Sequence, residues 1–147
     1  LKTIDVYTDG SYIGSTDRGG FGIVVQNGKS VDTYGGHQSE TTSNRMELVA
    51  VITALLLLKR DCGRVRARVF SDSKYVIMPS RLGWLETWAH SGWVRAKGRE
   101  LKNKDLWKEF YPLYLFHDVE FYWIEGHSGH PAHEKAHNIA YKEAKGD

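Results

Sequence analysis

From Thr3 to Asp9 the chain alternates. Ile4, Val6 and Thr8 fall on one face and Tyr7 and Asp9 on the other, the period of two that a strand requires. A short first strand should therefore run into a polar, glycine-rich turn over 10–20. Phe21–Gln26 reads as the second strand, Asn27-Gly28 as a two-residue hairpin turn and Lys29–Gly36 as the third strand. After a polar loop over 37–43, Asn44 stands three residues before Glu47. That capping-box pattern opens a helix with Glu47 in its first turn. Only Thr53 interrupts the apolar run from Leu48 to Leu58, so this helix should be buried almost all round. Lys59-Arg60 suit its last turn and Gly63 its end.

Further on, Arg64–Asp72 reads as a fourth strand and Ser73–Met78 as a brief helix stopped near Pro79. Arg81–Gly92 reads as a helix with Trp84 and Trp88 on one side. Asp105 should cap a helix carrying Trp107, Phe110, Tyr111 and Tyr114, kinked or cut short by Pro112. Val119–Ile124 is the fifth strand and His133–Ala144 the closing helix. This order predicts an α/β protein: a five-stranded mixed sheet, three antiparallel strands then two parallel, with helices on both faces.

Length and composition change this picture little. The 147 residues suit one domain, 1–147, and a net charge of +2 says little about partners. The apolar run of eleven residues is too short to cross a bilayer. One cysteine, Cys62, excludes an internal disulfide and is expected as a small buried side chain in a reducing, cytoplasmic setting.

The chemistry lies at the strand ends. Two predicted strands finish on a carboxylate, Asp9 before Gly10-Ser11 and Asp72 within Ser71-Asp72-Ser73. If these strands are neighbours, Asp9, Asp72 and Glu47 meet at one end of the sheet. Three like charges there call for a hard divalent cation; singly, each acid also reads as a cap of the next turn or helix. His127, His130, His133 and His137 fall within eleven residues, a spacing that also admits zinc.

Six blocks now take on a common meaning: Tyr-Thr-Asp-Gly-Ser at 7–11, Thr-Thr-Ser-Asn-Arg-Met-Glu-Leu at 41–48, Ser-Asp-Ser-Lys-Tyr-Val at 71–76, Gly-Trp at 92–93, Lys-Asn-Lys-Asp-Leu-Trp at 102–107 and Gly-His-Ser-Gly-His-Pro at 126–131. In order and spacing they resemble bacterial-type ribonuclease H of type 1, from Ile4 to about Ala144. The resemblance implies the ribonuclease H-like fold. It also implies an endonuclease that cuts the RNA strand of RNA–DNA hybrids with two Mg2+ or Mn2+ ions, leaving 5′-phosphate and 3′-hydroxyl ends.

Asp9, Glu47 and Asp72 match three of the family's four metal-binding acids. The fourth position falls on His137, which is not an acid; an imidazole there can hold a metal or a metal-bound water when neutral. The nearest acid is Glu134, one turn earlier. His127 matches a mobile-loop histidine that assists proton transfer or product release. Gly10, Ser11, Thr42, Ser43 and Asn44 match positions lining the hybrid's minor groove, where short polar groups reach 2′-hydroxyls. Ser15 and Ser43 stand where relatives usually carry asparagine.

The stretch 81–104 matches a basic protrusion. There Trp84, Arg95, Lys97 and Arg99 are expected to meet the DNA strand, while Trp88 and Trp107 belong to the core. Asn103 is expected to fix this loop or meet a phosphate. The expected partner is the hybrid, bound by a monomer with no obligatory protein partner and no membrane. The full protrusion argues for a stand-alone protein over a reverse-transcriptase domain. His137 leaves open a second function, a hybrid-binding module of the same fold with weak or absent catalysis.

Overall fold

The computed structural model describes every residue from Leu1 to Asp147. Its strands are β1 (Thr3–Ile13), β2 (Arg18–Asn27), β3 (Ser30–Ser39), β4 (Arg66–Ser71) and β5 (Asp118–Trp123). Its α-helices are α1 (Ser43–Cys62), α2 (Lys74–Arg81), α3 (Trp84–His90), α4 (Lys104–Phe116) and α5 (Pro131–Lys145), and Ala96–Gly98 form a short 3-10 turn. The sheet runs β3-β2-β1-β4-β5. β1, β2 and β3 pair antiparallel, while β4 is parallel to both β1 and β5. The mixed sheet expected from the element order is therefore present. No helix is long and apolar enough to cross a membrane.

The sheet divides the core. Ile4 and Val6 of β1, Ile23 and Val25 of β2, and Ala67 and Val69 of β4 are buried on the face that α1 and α4 cover, with Trp107 and Phe110. On the other face Tyr7 and Val24 meet Ala132 and Ala136 of α5. Leu48–Leu58 of α1 is buried nearly all round, as expected, although Leu56 is exposed. α5 lies on β2 because Gly20 and Gly22 offer bare backbone to Ala136, Ala140 and Ala144; a Cβ at either glycine would overlap the helix backbone.

Several expected boundaries shift. The turn expected over 10–20 shrinks to Gly14–Asp17, because Gly10, Ser11, Tyr12 and Ile13 stay paired with Phe21, Gly20, Gly19 and Arg18. The N-cap of α1 is Thr42, not Asn44: its hydroxyl accepts from the Arg45 N–H at 3.1 Å. Glu47 then stands in the second turn, too far along to close a capping box. The N-cap of α4 is Asn103, not Asp105, whose carboxylate is taken by Arg45 at 2.7 and 2.9 Å.

Neither proline ends its helix on the spot: α2 stops at Arg81, near Pro79 as expected, and α4 runs on from Pro112 to Phe116. Beyond Pro79, the Leu82 N–H bonds Met78 O at 2.8 Å. Beyond Pro112, the His117 N–H bonds Leu113 O at 3.1 Å. Each proline removes one donor and the ladder resumes after it. Cys62 is exposed, not buried, because it closes α1 past the last core residue, Leu58.

Candidate active site

Register brings the two strand-end acids together. β1 and β4 pair in parallel up to Tyr7 opposite Phe70, so Asp9 and Asp72 come level just past the paired stretch. Asp9, still in β1, is buried opposite Gly22 of β2, on the side that α5 covers. Asp72 stands in the turn from β4 to α2. There Ser71 Oγ accepts from the Ser73 N–H at 3.0 Å, and the Asp72 carbonyl accepts from Trp123 Nε1–H at 3.2 Å.

Glu47 arrives from α1, whose start crosses close over β1. A Cβ on Gly10 would lie 2.6 Å from the Glu47 backbone nitrogen, so only glycine permits the crossing. Its first duty is thus packing, a constraint invisible in the Thr-Asp-Gly-Ser string.

The acids feel one another. Glu47 is held well above its ordinary 4.5, chiefly by burial, then by the charges of Asp9 and Asp72, against a hydrogen bond at the Gly10 backbone. Asp9 is raised above 3.8 by burial and by Asp72; hydrogen bonding from His137, and the nearby His133 and His137 charges, pull the other way. Both shifts mean that ionising these carboxyls in place is costly.

α5 completes the site. His137 Nδ1–H donates to Asp9 Oδ2 at 2.8 Å. One turn earlier His133 is buried, with Nε2 3.8 Å from Asp72 Oδ2 and no hydrogen-bond partner. One ligand atom from each of Asp9, Asp72 and His133 lies within 4.8 Å of the others. Glu47 and Glu134 are outside that group.

The exposed His127 meets His137 edge to face, ring centroids 4.9 Å apart, while His130 packs on Tyr7 at 5.0 Å. The four histidines form no zinc cluster of their own: only His133 belongs to a ligand-spaced group, and its companions there are Asp9 and Asp72. His133 had no role in the sequence beyond that set; its place on the helix, i, i+4 from His137, was the one available signal.

Around these groups lie the expected substrate contacts. Gly10 and Ser11 are partly exposed beside the start of α1, where Thr42, Ser43 and Asn44 are exposed. Trp84 is 48% exposed. It lines a groove of about 790 Å³ together with Trp88, Trp107, Arg95, Lys97 and Arg99. Trp107 is buried and Trp88 packs against the core, as the sequence suggested. Asn103 fixes the loop: Nδ2–H donates to the Tyr75 hydroxyl at 2.8 Å and Oδ1 accepts from Arg45 at 3.3 Å. Arg45, absent from the sequence-level candidates, thereby ties the start of α1 to the start of α4; nothing in the sequence distinguished it from an ordinary surface arginine.

With this geometry in hand, comparison with known proteins is specific. The RNase H family model matches residues 2–145. A ribonuclease H from Oleidesulfovibrio alaskensis is 40% identical over 140 residues, covering 95% of this chain and 89% of its own. One from Nitratidesulfovibrio vulgaris is 40% identical over 145 residues, covering 98% and 90%. The crystal structure of LC9-RNase H1, a type 1 RNase H with the type 2 active-site motif, superposes with a TM-score of 0.86 at 31% identity, covering 99% of this chain and 73% of its own.

Proposed function

The chain belongs to the ribonuclease H family, a family of hydrolases, and from that premise we propose that it cuts the RNA strand of RNA–DNA hybrids at Asp9, Glu47 and Asp72. The observation that carries the reading is the crowding of these acids at one end of the sheet, with Asp9 and Glu47 both raised by burial and by neighbouring charge. Such a group fits a divalent cation, because a cation removes the repulsion that protons otherwise relieve. The unpartnered, buried nitrogen of His133 beside it is a further donor of the right kind.

Asp9, Glu47 and Asp72 would hold two ions, Mg2+ or Mn2+, with His137 at the fourth position. Bound there, the ions would supply Lewis-acid polarisation of the phosphate and a water of lowered pKa. The chain's own part is orientation. His137, fixed to Asp9 through Nδ1, would have Nε2 left to help hold a metal ion. His127, over its ring, moves a proton or helps release product. Gly10, Ser11, Thr42, Ser43 and Asn44 read the minor groove and its 2′-hydroxyls. Trp84, Arg95, Lys97 and Arg99 take the DNA strand, with Asn103 bracing the loop that carries them. The products carry 5′-phosphate and 3′-hydroxyl ends. This reading takes the protein as a cytoplasmic monomer; its single cysteine suits a reducing setting.

The test is a panel of end-labelled substrates. The hybrid is cut with Mg2+ or Mn2+ and spared with EDTA, and duplex DNA and single-stranded RNA are not cut. Failure to cut the hybrid under either metal contradicts the proposal.

A further inference from the structure

His133 is the one buried polar side chain at the site that nothing satisfies. It is 2% exposed, its Nε2 has no hydrogen-bond partner, and the nearest carboxylate oxygen, on Asp72, lies at 3.8 Å, beyond hydrogen-bond length. A buried nitrogen left in this state costs free energy. Its neighbours along α5, Ala132 and Ala136, are buried as well. His137, one turn on, is different: it is partly exposed and already bonded to Asp9.

We propose that His133 Nε2 is itself a metal ligand, so that one cation is held by Asp9, Asp72 and His133. This rests on the metal-dependent reading above and deepens it by naming a nitrogen ligand on the buried side of the site. The three ligand atoms lie within 4.8 Å of one another. Two donors opposite each other on one ion, at about 2.1 Å each, stand about 4.2 Å apart. Three atoms spaced as these are share a centre no more than about 2.8 Å from each, so a shift of under about 1 Å per side chain brings all three to bonding distance, and the orphaned nitrogen gains a partner. An imidazole in the coordination shell favours cations that accept nitrogen. Manganese, cobalt and zinc should bind more tightly than magnesium, which prefers oxygen and keeps its waters.

The test uses Mn2+ alone, without nucleic acid, read by pulsed electron paramagnetic resonance for coupling to a histidine nitrogen. The variant H127A/H130A/H137Q removes the other three histidines of the loop and α5, all exposed or partly exposed, and leaves the buried one in place. We expect this variant to bind Mn2+ and to show nitrogen coupling, shifted as the isotope requires when histidine is labelled with 15N. Adding H133Q should abolish the coupling and weaken Mn2+ by at least about tenfold, with a much smaller effect on Mg2+. A triple variant that binds no Mn2+, or binds it without nitrogen coupling, overturns the proposal. Hybrid cleavage by the wild type is scored separately. Cleavage without coupling removes His133 from the shell and leaves the ribonuclease reading standing, whereas coupling without cleavage does the reverse.

Discussion

Glu47 is the residue whose environment most constrains the account. Its carboxyl, raised well above 4.5 by burial and by Asp9 and Asp72, is protonated in both folded and unfolded chains at low pH. As pH rises through its elevated folded value, the folded protein must ionise it in place and loses stability, while the unfolded chain ionises freely. Glu47→Gln in EDTA should thus melt higher than wild type near neutral pH, by about 1 kcal/mol or roughly 3–4 °C. The gain should vanish below about pH 4.5; thermal melts across pH check both limbs, and a constant offset would mean that Gln acts through packing.

At the fourth position, we expect His137→Ala to lower activity, most under Mg2+, and His137→Asp to raise Mg2+-supported cleavage by restoring a charged oxygen ligand. Steady-state rates in both metals decide this; an alanine variant with unchanged rate and metal preference would make His137 a spectator. Asp9 and Asp72 were legible as candidates because strand ends are written in local pattern; the pairing that brings them level is not. Glu47 was found for a partly wrong reason, a capping box that Thr42 displaces. His133 stayed hidden because helix periodicity gives a face but not what that face meets.

Among the elements, α1, β4 and α4 are joined by a single buried imidazole. His117 follows α4, accepts at Nδ1 from the Val65 N–H (3.2 Å) and donates from Nε2 to Leu55 O in α1 (3.0 Å). Burial lowers its pKa below the ordinary 6.5. The unfolded chain therefore takes up a proton first as pH falls, and the stability that neutral His117 contributes is present above about 6.5 and lost on the acid side. His117→Ala should cost about 2 kcal/mol near neutral pH, and the deficit should narrow as the pH drops below about 6. Denaturant titrations at two pH values measure it; a deficit independent of pH would assign the loss to packing alone. The elements themselves were read well where periodicity was long, as in α1. They were misread where tertiary contacts outvote local signals: glycines at 10, 14, 19 and 20 suggested one loop, yet most of them are strand positions that let α1 and α5 approach.

For the molecule as a whole, charge is local rather than global. The net +2 says little, but Arg95, Lys97 and Arg99 are all exposed along one groove. Neutralising the three together should weaken hybrid binding and flatten its salt dependence, each lost phosphate contact lowering the log–log slope by up to about 0.9. Fluorescence anisotropy over a salt series measures the slope; no change would make this loop a solvated surface. The mixed sheet with helices on both faces followed from element order alone, whereas the strand order came only with the structure, and the reach of the groove depends on how Asn103, Arg45 and Tyr75 brace its loop, which no short-range pattern reports. The central claim is that acids from three separate segments, joined only by folding, form one metal-dependent hydrolytic site. Single-turnover cleavage of a pre-bound RNA–DNA hybrid, started with Mn2+, tests it most directly. Wild type should cut the RNA strand, while Asp9→Asn, Glu47→Gln and Asp72→Asn, each still folded and still binding hybrid, should lose well over about tenfold in rate, or 1.4 kcal/mol. A folded variant of any of the three that cuts at close to the wild-type rate would contradict the account.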